Sequence, residues 1–227
     1  MCGRFNVLQT PGLEALLQSL GCHGRPAQRS NIAPTESVPL IRAAGGRVEL
    51  VEAHWWLTPH WAKERSQKYA MFNARAESAA NSPAFRKPFA RQRGIVPMSS
   101  FIEWRREGSE RQPWLISTDQ DALAVAALWD LWPGEDPPLL SCTLMTTEAA
   151  ETFRPWHARM PVILDGDEQW RWLDNDRPID SSDPIFAPVL KLPMHLAPVG
   201  RSVGNARNKD PQAMQAVGET VELEPGP

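Results

Sequence analysis

The sequence predicts an α+β fold: a predominantly antiparallel, barrel-like β core with a few short flanking helices. From Gly94 to Met145, short β-rich segments follow one another, separated by polar or Pro/Gly turns. The 22 prolines, roughly twice the usual share of about 5%, shorten helices and favour loops between strands. Helical apolar spacing with capping residues is confined to a few brief stretches.

In chain order, Thr10-Pro11 precedes Leu13, Leu16, Leu17 and Leu20, and Gly21 closes the segment. That is a side-chain cap, a proline at the first helical position, an apolar stripe and a terminal glycine, which together specify a short helix. Val38 to Ile41 and Val48 to Trp55 read as strands. Gly45-Gly46 between them reads as a hairpin turn, since glycine reaches the positive φ such turns require. Ser82-Pro83 predicts a second helix running to about Arg91. Further strands are expected over Ile95 to Pro97, Phe101 to Trp104, Trp114 to Ser117, Ala122 to Trp129 and Leu139 to Met145. Helical segments are expected after Thr147, from Asp167 to Leu173, and weakly near Asp210. Residues 1–218 are read as one catalytic domain, and 219–227, acidic and Pro-rich, as a disordered tail.

Charge and cysteine usage narrow the function classes. The formal net charge is −3, so any contact with nucleic acid must be local. Of 24 basic residues only five are lysine, and arginine's planar fork suits bidentate phosphate contacts, although a GC-rich coding sequence explains that ratio equally well. Ten tryptophans supply core mass and flat platforms for bases. Cys2, Cys22 and Cys142 are odd in number and widely spaced, against a disulfide framework. The five histidines show no metal-ligand spacing, so no metal and no cofactor is expected. No apolar run approaches the roughly 18 residues of a membrane span, and the N-terminus lacks a signal-peptide core. A cytoplasmic monomer is the expectation.

Position 2 is the first candidate for chemistry. Removal of Met1 would expose a cysteine with a free α-amine and a thiol on adjacent carbons. An α-amine has a pKa near about 8, so part of it is neutral and can condense with an aldehyde, after which the thiol can close a thiazolidine ring. Taken alone, Cys2 reads as an incidental penultimate residue.

Seven separated blocks change that weighting: Met1-Cys-Gly-Arg-Phe5, Arg29-Ser-Asn-Ile-Ala-Pro34, Phe72-Asn-Ala-Arg-Ala-Glu77, Phe101-Ile-Glu-Trp104, Ala126-Ala-Leu-Trp-Asp130, His157-Ala-Arg-Met-Pro161 and Pro198-Val-Gly-Arg-Ser-Val-Gly-Asn205. In this order they resemble the SOS-response-associated peptidase family. The resemblance implies a sensor of abasic sites in single-stranded DNA that crosslinks its N-terminal cysteine to them, with Met1 removed and possible self-processing and lyase activity. It implies that Cys2 is the nucleophile, that Asn73 and Glu103 surround its amine, and that His157 is an acid/base group. It also implies DNA contacts from Arg4, Asn31, Arg75 and Arg159, joined by Arg201, Arg207 and a base-stacking Trp61.

The residue chemistry is compatible with those roles. Carbinolamine dehydration needs a proton donor and sugar ring-opening needs a base and an acid, which Glu103 and His157 can supply. Burial between Ile102 and Trp104 would keep Glu103 available as an acid. Taken singly, Glu103 reads as a surface glutamate beside Arg105-Arg106, His157 as an ordinary histidine, Asn73 as a turn residue, and Trp61 equally as a base-stacking platform or as core. The match departs at Trp56, where the family carries glycine, at Ala62, where it often carries a bulky residue, and at Gly94 and Ser100, where it usually has cysteine and glycine. Two rivals remain at this point: an N-terminal-nucleophile amidohydrolase using the Cys2 thiol, and a noncatalytic single-stranded-DNA-binding module.

Overall fold

The computed structural model describes residues 2–226; the expected loss of Met1 therefore falls outside the described residues. Among these, thirteen strands and four short helices alternate. They run β1 (Phe5–Val7), α1 (Pro11–Ser19), β2 (Arg29–Ile32), β3 (Ser37–Ala44), β4 (Arg47–Trp55), β5 (Asn73–Arg75), α2 (Ala76–Ala79), α3 (Arg86–Arg91), β6 (Arg93–Met98) and β7 (Ser100–Glu107). There follow β8 (Glu110–Ser117), β9 (Leu123–Trp132), β10 (Leu139–Glu148), β11 (Arg159–Pro161), α4 (Asp167–Leu173), β12 (Met194–Pro198) and β13 (Val221–Leu223). This is the α+β class that the sequence predicts.

Two sheets divide the strands. In one, β10, β4, β3, β6 and β9 pair in succession and β9 pairs back onto β10, so five strands close on themselves like a barrel; β5 and β11 extend the far end of β10. The second sheet is β13-β12-β8-β7-β1-β2. All pairings are antiparallel except those of β10 with β4 and β5. One large apolar cluster fills the space between the sheets, and a small one of Ile102, Val199, Val203 and Met214 lies on the far side of β7.

Local chemistry explains the elements that hold the site. Thr10 caps α1 by accepting from the Leu13 N–H at 3.1 Å, and Leu13 and Leu17 are its buried stripe. Gly45 and Gly46, at φ 57° and 75°, make the two-residue turn between β3 and β4 that right-twisted strands favour. Strand β6 carries Arg93, fully buried, whose guanidinium donates to the carbonyls of Trp172, Phe89, Ala90, Asp174 and Arg177 and so ties α4 to the barrel. Burial lowers its pKa to about 10.

Several expectations are corrected. No helix follows Thr147, because β10 continues to Glu148, where its backbone pairs with β11, and irregular turns follow. The Ser82-Pro83 segment makes a turn, with its helix starting at Arg86. Near Asp210 only a 3-10 turn forms, Pro211–Met214, capped by the Asp210 carboxylate. Val221–Leu223, placed in the disordered tail, instead pairs with Met194–Leu196 as an edge strand, so order extends into that tail.

Gly94 illustrates the packing. A methyl group there would lie 2.8 Å from the Ile41 carbonyl oxygen and 2.9 Å from Leu40 Cδ1, so the departure to glycine lets β6 approach β3. Gly94→Ala should cost about 1–3 kcal/mol of stability through overpacking, read from a lower denaturant midpoint; an unchanged midpoint would show that the strands are free to move apart.

Candidate active site

The site is built from the N-terminal strand outward. β1 lies inside the second sheet, between β2 and β7, and buried polar groups fix it there. Asn6 donates to Ser100 Oγ at 2.9 Å and accepts from the Asn31 N–H at 2.7 Å, while Ser99 Oγ donates to the Asn6 carbonyl. Ser100, one of the departures, is thus a hydrogen-bond partner of the strand that carries residue 2. The Ile102 N–H donates to the Arg4 carbonyl at 2.9 Å, continuing the β1–β7 pairing toward Glu103.

Residue 2 sits at the junction of the two sheets. Asn73, at the start of β5, donates from Nδ2 to the Cys2 carbonyl at 2.9 Å, and its buried Oδ1 has no partner among the described residues. Glu103, on β7, is buried and close enough for its charge to act on the Cys2 thiol. Cys2 itself is completely buried. Burial first, and the Glu103 charge second, push its thiol far above the ordinary cysteine range. Cys22 and Cys142 are buried and free; burial raises Cys22 to about 11.

His157 arrives from the first sheet on the turn before β11. Phe153 packs on Phe101 at 6.3 Å and Trp156 meets Trp114 edge-on at 5.6 Å, and Trp114 lies directly across from Glu103 in the β7–β8 register. The segment carrying His157 is therefore docked on the face that bears Glu103. His157 Nδ1 accepts from the Arg159 N–H at 3.0 Å when that nitrogen is bare. The Arg159 carbonyl lies 2.9 Å from the same nitrogen and accepts from it when that nitrogen carries a proton.

The arginines expected on DNA fall into two groups. Arg4 donates to Asn31 Oδ1 and to the Val203 and Gly204 carbonyls, and burial lowers its pKa. Arg159 grips Glu77 through NH1 and NH2 and also bonds Thr146. Burial alone would raise the Glu77 carboxyl, but hydrogen bonds and charge from Arg159 outweigh it and hold it low. Arg201 pairs with Glu110 at the surface. Arg75 and Arg207 are exposed and have no ion pair among the described residues. Asn31 is fully buried at φ 52°, and its Nδ2 donates to the carbonyls of Val203, Asn205 and Asn208. Its side chain thereby anchors the 201–208 segment.

Trp61 is 58% exposed, not core. The loop beneath it is pinned by Thr58 to Ser141, by His60 to the buried Asp130 carboxylate, and by Trp132 Nε1 to the Ala62 carbonyl. Ala62 therefore serves through its backbone, and Trp61 projects beside exposed Tyr69 over a groove of about 250 Å³. Trp56 covers the same loop, donating to the Ser66 carbonyl and packing on Phe72. A cleft of about 780 Å³, lined by Leu16, Asp119, Asp165 and Trp170, lies between α1 and α4 and contains none of the candidate residues. Among the described residues no helix is long and apolar enough to cross a membrane, and no three His, Cys, Asp or Glu residues are grouped to hold a metal.

Comparison with known proteins places this arrangement. The family model for SOS response associated peptidase (SRAP) matches residues 1–206. The chain belongs to the SRAP family. Among SRAP relatives, abasic site processing protein YoaM of Bacillus subtilis is 33% identical, over 95% of this chain and 98% of its own. Abasic site processing protein HMCES of Xenopus tropicalis is 31% identical, over 74% of this chain and 57% of its own. A crystal structure of a Bordetella bronchiseptica protein, 24% identical, superposes with a TM-score of 0.72 over 88% of this chain and all of that one, a likeness of fold. Within this SRAP chain, sequence reasoning missed Asn6 and the positioning role of Glu77, although both lie in or beside blocks that carry the resemblance.

Asn31→Ala should leave the sheets folded while freeing the 201–208 segment, so that its amides exchange with solvent at least tenfold faster in hydrogen-exchange mass spectrometry. Unchanged protection there would remove Asn31 from its anchoring role.

Proposed function

We propose that this chain processes abasic sites in single-stranded DNA by forming a covalent adduct through the α-amine and thiol of Cys2 once Met1 is removed. The observation that carries the reading is the Cys2 carbonyl bonded to Asn73 and its thiol within reach of the Glu103 charge, with the segment that carries His157 docked on the same face. Relatives named abasic site processing proteins supply the substrate class.

Each group has a definite task. Hydrolysis of the Met1–Cys2 peptide bond leaves a primary amine, for which the open Oδ1 of Asn73 is a ready acceptor. His157, partnered at Nδ1 in both protonation states, moves the proton that opens the deoxyribose ring to its aldehyde. Glu103 takes a proton from the α-ammonium, the freed amine adds to the aldehyde carbon, and the carbinolamine loses its hydroxyl as water with that proton. The Cys2 sulfur then adds to the iminium carbon while its proton returns to Glu103. The product is a thiazolidine, and one water is lost overall.

The state of the thiol favours this over thioester chemistry. A cysteine amidohydrolase needs a thiol lowered toward neutrality by a nearby cation or base, whereas Cys2 is raised by burial and by Glu103. Amine attack followed by ring closure has no need of a standing thiolate. A noncatalytic binding module would leave Cys2 idle.

An oligonucleotide with one abasic site should give a shifted band on a denaturing gel with the wild-type protein, and none with Cys2→Ala or with an intact base. Glu103→Ala should slow band formation about 10²- to 10⁴-fold. A band of equal yield from Cys2→Ala would end the proposal, and an unchanged rate in Glu103→Ala would remove that residue from it.

A further inference from the structure

We propose that Arg105 is a phosphate-binding residue for the DNA strand at the residue 2 site, held ready by Trp114 and Trp156. The identity of the strand rests on the function proposed above; the argument for an anion stands on the geometry.

Side chains alternate along a strand, so β7 sends Phe101, Glu103 and Arg105 to one face and Ile102 and Trp104 to the other. The contacts agree: Phe101 packs on Phe153, while Ile102 and Trp104 join Val199, Val203 and Met214. Arg105 thus stands about 7 Å farther along the strand than Glu103, on the same face. Its guanidinium carbon lies 5.8 Å from the Trp114 ring centre and 5.2 Å from that of Trp156, and the two indoles meet at 82°. Trp156 directly precedes His157, so the cluster borders the proton-transfer groups.

Arg105 makes no hydrogen bond or ion pair among the described residues, and neither Glu103 nor Glu107, on its own face of the strand, pairs with it. The Nε1 groups of Trp114 and Trp156 are buried without partners, in side chains more than nine-tenths buried. Buried donors are normally satisfied. Here a cation without an ion pair is held against two aromatic faces that limit the side chain's freedom. A guanidinium fork in that state suits the paired oxygens of a phosphate. Arg4, Arg159 and Arg201, by contrast, would each have to release a partner first.

The test is the salt dependence of binding to a fluorescent single-stranded oligonucleotide with intact bases, which separates phosphate contact from aldehyde chemistry. Arg105→Gln should reduce the slope of log K against log salt by about 0.7, one single-strand phosphate contact, and weaken low-salt affinity roughly three- to tenfold. Arg105→Met, which keeps apolar cover over the indoles, should lose the same slope. Arg105→Lys should keep the slope and recover only part of the affinity, lacking the fork. Wild-type slope in both neutral variants would make Arg105 a packing residue only, and absence of any strand binding by the wild type would overturn the proposal as well. A wild type that binds with the Arg105-dependent slope yet never forms an adduct would remove the abasic-site function and leave this residue's role intact.

Discussion

The first residues of a chain ordinarily fray, because few contacts offset the entropy of ordering them. In this protein the three residues of β1 are instead interior to a six-stranded sheet, with neighbours on both edges. Asn6, fully buried, satisfies its side chain on Ser100 and on the Asn31 backbone. Removing either partner would leave a buried amide group unpaired, a cost of about 1–3 kcal/mol. That seat fixes where residue 2 lies, and the contacts of the candidate site follow from it: the Asn73 bond to the Cys2 carbonyl, the Glu103 charge beside the thiol, and the His157 segment packed across β7 and β8.

Electrostatics around this seat separate two uses of arginine. Arg4 and Arg159 hold the protein together, one by clasping the Val203 and Gly204 carbonyls to Asn31 of β2, the other by anchoring the turn of His157 to Glu77 and Thr146. Arg75, Arg105 and Arg207 have no anionic partner among the described residues. With a formal net charge of −3, the protein's attraction for a polyanion has to come from such local, uncommitted cations.

Much of the fold was legible because its longer strands carry their own signals. The Gly45-Gly46 hairpin, the Thr10-capped helix and the β-rich run from Gly94 to Met145 each combine periodicity with turn chemistry. The three-residue strands β1, β5, β11 and β13 were not, since a strand that short is defined by its partner and not by its own residues. The turn region after Thr147 read as helical because its alanines and glutamates favour helices in isolation, but pairing of Thr146–Glu148 with β11 overrides that preference. In the site, Cys2, Asn73 and Glu103 were named from the sequence and lie together. The anchoring bonds of Asn31 were not legible, because its motif does not say whether the side chain faces solvent or the protein interior. Arg105 could have been found from β-strand alternation two residues beyond Glu103, although its two indole neighbours come from distant segments that no local pattern brings together.

The central claim is that residue 2, freed of Met1, condenses with a sugar aldehyde by both its nitrogen and its sulfur. Intact mass spectrometry of the protein after incubation with an abasic-site oligonucleotide tests this most directly. The account predicts a species at the mass of the Met1-less chain plus the oligonucleotide minus one water, with the linkage mapped to the N-terminal peptide. A chain that retains Met1 and gains no mass, or an adduct mapped to a lysine, would contradict it.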